Sequence, residues 1–344
     1  MSTTTRRKFM GQGSMLFAAL LFSVRGARAQ DAETVMAVNG PLRPDAMNFT
    51  LSHEHVLVDF IGADKTHKDR YNADEVFAIA LPFLKDIKQR GCNTFVDCTP
   101  AYIGRDALVL QRLATASGLN IITTTGYYGA AKEKYLPEHA YSETSEQLAA
   151  RWIEEWKNGI EGTGIKPGLI KSGVDNAPLS EVQRKIIDAA ALTHLATGLT
   201  IGVHTGSGDA ANEQLEILER RGVAPSARIW IHAQNEKNKT YHIDAAQRGS
   251  WVSFDGVNPS SISENVQFLK EMKRKNLLNA VLVSQDSGWY NVGEPQGGKF
   301  NHYNCIFTDF IPELKRNGFS QKDIDAIFIA NPAKALTVKV RKLK

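Results

Sequence analysis

The sequence predicts an α/β protein, a single (β/α)8 TIM barrel, on three observations. Eight short apolar segments recur along residues 35–340, and stretches of helical periodicity separate them. No linker, low-complexity tract or change of composition divides that region. Six residues able to ligate metal stand at or near the ends of five apolar segments, where a barrel gathers its βα loops.

The expected strands are Asn48–Ser52, Thr94–Cys98, Asn120–Thr124, Pro167–Lys171, Thr200–His204, Arg228–His232, Trp251–Asp255 and Ala280–Ser284. Each is short and near-continuously apolar, as parallel strands covered on both faces are. Helices are expected over Asp74–Arg90, Thr144–Gly159, Ser180–Thr197, Asn212–Arg221, Ser263–Lys275 and Ser320–Ile329. Ser180 followed by Glu181 reads as a helix start, and Gly91, Gly118, Gly198 and Gly222 read as helix ends. A doubly wound open sheet is the competing fold. No glycine-rich phosphate loop follows any strand, and Gly206-Ser207-Gly208 lacks the rest of that fingerprint. The barrel is preferred.

The first thirty residues read differently. Thr5-Arg6-Arg7-Lys8-Phe9 precedes an apolar run, Met15 to Phe22, and Ala27-Arg28-Ala29 is a small-x-small cleavage signal. The run is far below the ~20 residues that span a bilayer. Residues 1–29 therefore read as an export signal, of twin-arginine type from the Arg-Arg-x-Phe pattern, with an ordinary secretory signal as the alternative. The mature barrel would occupy 30–344, beginning near Gln30, in the periplasm or outside the cell, with no membrane insertion. Removing 1–29 takes away five bases and no acids, so the formal charge passes from +4 to −1. The basic balance belongs to the signal, and nucleic acid is excluded as a partner class. Cys92, Cys98 and Cys305 are odd in number and lack metal-knuckle spacing, which argues against a disulfide framework.

His53 and His55 lie two apart on the first strand and so share one face. His204 and His232 each end an apolar run, Lys171 ends another, and Asp286 follows Val281-Leu282-Val283. One such histidine would read as a satisfied core residue. Four imidazoles, a carboxylate and a buried amine at one end of five strands read as a two-metal site. A lysine neutralised by burial can take up carbon dioxide, and the carbamate can bridge two cations.

With these residues in view, the chain resembles the phosphotriesterase family of the amidohydrolase superfamily over nearly all of 35–340. Ile103-Gly104-Arg105-Asp106, Gly159-Ile160-Glu161-Gly162-Thr163-Gly164-Ile165 and Asn331-Pro332-Ala333-Lys334 carry the likeness further. The resemblance implies that His53, His55 and Asp286 hold a buried divalent metal and that His204 and His232 hold an exposed one. N6-carboxylysine at Lys171 and a hydroxide would join the two metals, with zinc first and manganese, iron or cobalt as alternatives. It also implies a homodimer.

The expected activity is hydrolysis of a small-molecule lactone or carboxylic ester, with Asp286 accepting a proton and Tyr128 bonding the hydroxide or the ester oxygen. The alternative is a phosphotriesterase (aryldialkylphosphatase) acting on organophosphate triesters. Against it, Asn235 and Gly256 stand where the family's proton relay is expected, unless Glu236 or Asp255 substitutes. A non-catalytic binding barrel is disfavoured because all six ligand candidates are intact. The loop from Gly288 to Asn304, with Trp289, Tyr290, Lys299, Phe300, His302 and Tyr303, reads as pocket lining for a sugar-like or small polar ligand. His67, His139, His194 and His242 read as surface or structural.

Overall fold

The structure, a computed structural model, describes residues 33–344. The export signal read over 1–29 and the mature start near Gln30 lie outside the described residues. A short antiparallel hairpin, β1 (Val35–Ala37) and β2 (Gly40–Leu42), comes first. All eight expected strands follow. They are β3 (Thr50–Val58), β4 (Thr94–Asp97), β5 (Asn120–Ile122) with β6 (Thr124–Thr125), β7 (Leu169–Gly173), β8 (Thr200–His204), β9 (Arg228–Ile231), β10 (Trp251–Phe254) and β11 (Val281–Val283). β5 and β6 are the two halves of one expected strand, interrupted at Thr123.

The strands pair in parallel in two arcs, β6 to β11 and β5-β4-β3-β12, where β12 is Gly288–Asn291. Thr123 joins the arcs on one side, and its carbonyl accepts the Gly168 N–H at 2.8 Å. On the other side Asp286 N–H donates to His53 O at 3.1 Å, and His55 N–H donates to Ser287 O at 2.9 Å. These bonds carry the strand order round to its start, so the sheet closes as a barrel.

Several elements differ from expectation: β1, β2 and β12 were not expected, the helix expected from Asn212 begins at Gly208, and the one expected over Ser320–Ile329 is a helix over Gln321–Asp325 that runs into a π-helical stretch, Ala326–Ala330. The first strand runs six residues past Ser52, to Val58, because β12 pairs with its second half, Gly288 opposite His55. The helix over Lys239–Gln247 was not expected; its sequence KTYHIDAAQ carries too few apolar positions to show a period.

The longer helices are α1 (Ala73–Gln89), α2 (Ala107–Ser117), then, after a short α3 (His139–Ser142), α4 (Ser145–Asn158), α5 (Glu181–Thr197), α6 (Gly208–Arg220), α7 (Lys239–Gln247) and α8 (Ile262–Arg274). None among the described residues is long and apolar enough to cross a membrane. Ser180 caps α5 as expected, accepting from Gln183 N–H while the Gln183 side chain returns the bond.

Residues that point inward recur with period two. Val96, Ile122, Leu169, Ile229, Ile231 and Leu282 form one buried cluster with Met47 and Val35. Leu169 and Lys171 share a face of β7, so a strand that fills the barrel floor with leucine also aims an amine into the barrel. The three cysteines are buried and free.

The motifs that suggested the family hold this frame together. Asp106 caps α2 through Leu108 and Val109 N–H. Arg105 is buried and meets Glu155 with two bonds, at 2.6 and 2.9 Å. Asn331 donates to Leu278 O and Val281 O, both at 2.7 Å, tying a helix over Asn331–Leu336 to the start of the eighth strand.

Candidate metal centre

All six expected ligand residues converge on one cavity of about 260 Å³. His53 and His55 lie within β3, and their Nε2 atoms face each other at 3.2 Å. Asp286 Oδ1 stands 3.1 Å from His55 Nε2 and 3.7 Å from His53 Nε2. The rings of His204 and His232 meet edge-on at 4.4 Å, and the His232 ring is 5.0 Å from that of His53. Lys171 Nζ lies 5.1 Å from the Tyr128 ring centre. Tyr128 in turn stands edge-on to His204 at 5.1 Å, a close approach allowed by the missing side chain of Gly173.

The local backbone explains how residues beyond the strand ends reach the centre. His232 and Asp286 both adopt left-handed conformations, φ 63° and 54°. Such geometry is uncommon for residues with a side chain and persists where surrounding bonds fix it. At His232 the fixing group is Asp255, which accepts its N–H and, at 2.6 Å, its Nδ1–H.

Asp255 also accepts from His53 Nδ1 at 3.1 Å and from Ser253 Oγ at 2.8 Å. One carboxylate thus orients two imidazoles and turns both Nε2 lone pairs into the cavity. His55 is set similarly. Its Nδ1 lies 2.8 Å from Thr99 Oγ1, and Thr99 in turn bonds Asp97.

Burial pushes the His53 pKa down to about 4 and that of His204 well below the usual imidazole value. Lys171 is likewise lowered by burial, with Cys98, Asp286 and Asp255 acting the other way. Burial opposes ionisation of Asp286, yet His53, His55 and His232 hold it below the usual carboxylate range.

The arrangement fits cations. Two Nε2 lone pairs directed at each other repel unless a positive charge lies between them. Asp286 Oδ1 is buried and accepts no hydrogen bond, an orphan of the kind a metal satisfies. His53, His55 and Asp286 place one atom each within 4.8 Å of one another, close enough for a shared ion.

Of the loop after the eighth strand, Trp289 lines the cavity, at φ 74°. The rest turns elsewhere. Tyr303 donates to His55 O, Tyr290 donates to Glu75, and Phe300 and His302 pack on Phe83. The expected sugar-like lining is therefore replaced by Val58, Phe60, Ile103, Tyr135 and Trp289, an apolar and aromatic wall. A larger space of about 430 Å³, lined by Arg105, Glu155 and Glu161 among others, holds none of the six ligand candidates.

The two residues that could substitute in the relay are both engaged in hydrogen bonds. Asp255 is fully buried behind the histidines, and Glu236 accepts from Gly208 and Asn238 N–H. What the sequence did not reveal is Gln234, which exchanges bonds with Asp255 at 3.2 Å. A Cβ at Gly256 would lie 2.6 Å from Gln234 Nε2, so the glycine makes room for that amide. His194 and His242 are buried and bonded to carbonyls, as the structural reading required.

Comparison with known proteins agrees with this geometry. The chain is 29% identical to a phosphotriesterase homology protein of Escherichia coli, over 84% of this chain and 98% of that one. It is 28% identical to an aryldialkylphosphatase of Saccharolobus solfataricus, covering 84% and 94%. A solved structure described as organophosphate hydrolysis engineered from a weak promiscuous lactonase template superposes with a TM-score of 0.80 at 25% identity, covering 88% and 99%. The model of the phosphotriesterase family matches residues 33–336. The chain belongs to the phosphotriesterase family, whose hydrolase barrel it shares.

Proposed function

We propose that the protein is a two-metal hydrolase of lactones or carboxylic esters. The observation that carries this reading is the meeting of His53, His55, Lys171, His204, His232 and Asp286 on one cavity whose walls are otherwise uncharged. Uncharged walls suit an uncharged ester.

Bound divalent cations would polarise the scissile carbonyl and acidify a water. His53 and His55 keep their Nε2 lone pairs on the cavity because Asp255 and Thr99 engage Nδ1. Lys171, as its carbamate, adds two further oxygens. The other oxygen of Asp286, Oδ2, takes the proton of the attacking water as the water oxygen closes on the carbonyl carbon, and returns it to the leaving alkoxide as the ester C–O bond breaks. Tyr128 donates its hydroxyl to the ester oxygen, while Phe60, Tyr135 and Trp289 exclude solvent.

Triester hydrolysis is the second reading, supported by the aryldialkylphosphatase relative. Against it stand Gly256 and Asn235 at the relay positions, with Gln234 filling the space at 256. The deciding experiment compares kcat/KM of the zinc-loaded protein on γ- and δ-lactones, aryl carboxylic esters and a dialkyl aryl phosphate. Preference for a lactone or ester supports the first reading; preference for the phosphate establishes the second.

A further inference from the structure

Glu54 stands between the two histidines of β3, and its side chain points to the opposite face of the strand. It is fully buried. Its carboxylate does not reach the metal cavity; it reaches the segment Ser284–Ser287 beyond β11. Oε1 accepts from Ser284 Oγ at 2.7 Å and from Gln285 N–H at 3.0 Å. Oε2 accepts from Ser287 N–H at 2.8 Å. The two amides it grips flank Asp286, the residue at φ 54°.

Three successive residues of β3 therefore hold one turn. The His53 carbonyl takes Asp286 N–H, the Glu54 carboxylate takes the amides on either side, and His55 N–H binds Ser287 O. A left-handed aspartate is a strained conformer, and such strain persists only when neighbours over-determine it. An amide in place of the carboxylate would offer one acceptor and turn an NH2 against a backbone N–H. Two acceptor oxygens facing two amides match a carboxyl group; burial pushes its pKa up to about 8, and the Ser284, Ser287 and Gln285 donors pull it the other way.

We propose that Glu54 is a positioning residue: it fixes Asp286 relative to His53 and His55 and so preforms the three-ligand metal position they share. This rests on the metal-centre reading above.

The test is metal titration of the full chain with Zn²⁺ against a competing chelator, wild type against Glu54→Gln, with circular dichroism as the fold control. The expected result is that one of two sites weakens about tenfold or more while the other is unchanged. kcat should fall with KM little altered, and added Zn²⁺ should restore it, which a merely structural lesion would not allow. Two sites of wild-type affinity with unchanged kcat would overturn the proposal.

If Glu54→Gln does not fold, Ser284→Ala serves instead. It removes the hydroxyl that donates to Glu54 and accepts His53 N–H at 3.0 Å. A smaller weakening of the same site is expected, and unchanged affinity would overturn the proposal. A wild-type chain that takes up no zinc would instead overturn the metal-centre reading, and this proposal with it.

Discussion

Asp255 Oδ1 lies 2.6 Å from His232 Nδ1, and the other oxygen of the same carboxylate lies 3.1 Å from His53 Nδ1. A single buried side chain thus sets the tautomer of one ligand candidate from each of the two metal positions. Asp255→Asn keeps the shape but places an amide N–H against one ring. Loss of such a partner commonly costs about 10–100-fold in metal affinity or activity. kcat/KM should drop by that order and zinc affinity should weaken at both positions; equal kinetics for the variant would separate Asp255 from ligand orientation.

Gly288 adopts φ 100°, and a Cβ there would collide with the His55 carbonyl and the Tyr303 hydroxyl. Gly288→Ala therefore combines backbone strain with overpacking, on the order of 3 kcal/mol. Chemical denaturation should show that loss, and activity should fall further because β12 pairs with the strand carrying His55.

His242 is buried against Trp230, Phe254 and Phe268, and its Nε2 bonds Ala233 O at 2.8 Å. Burial pushes its pKa from 6.5 down to about 4. The unfolded chain takes up that proton near pH 6.5 and the folded chain only near 4. Stability is fully present above 6.5 and is lost as pH falls through that interval, by on the order of 2–3 kcal/mol. Replacing His242 by glutamine should flatten the urea-unfolding free energy between pH 6.5 and 4; an unchanged slope would assign it to other groups.

Tyr128 lines the cavity edge-on to His204, and burial raises its hydroxyl pKa, keeping it a proton donor at neutral pH. Tyr128→Phe should lower kcat about tenfold or more, as loss of a positioned hydrogen-bond donor to the reacting group does, with zinc content unchanged. Loss of zinc along with activity would mark the residue as packing for the ligands.

The barrel and all six ligand candidates were legible in the sequence, because fully buried parallel strands are short apolar runs and their ends are where polar residues stand out. Lys171 was the clearest case, a charge inside an apolar run. The groups behind the ligands were hidden for a physical reason. Asp255 looks like any strand-end acid, and Glu54 reads as part of a His-Glu-His triplet without showing that its carboxylate grips residues more than 230 positions away. Gln234 has no sequence signal, since its partner at Gly256 is recognisable only as space. The loop after the eighth strand misled because aromatic residues that pack under a barrel rim have the same composition as those that line a pocket; only Trp289 does the latter.

The most direct test of the metal centre is elemental analysis of the purified full-length protein, giving divalent metal per chain. About two equivalents are expected, removed by chelator together with ester hydrolysis and restored by zinc. A correctly folded chain that holds no metal, and takes up none from solution, would contradict it.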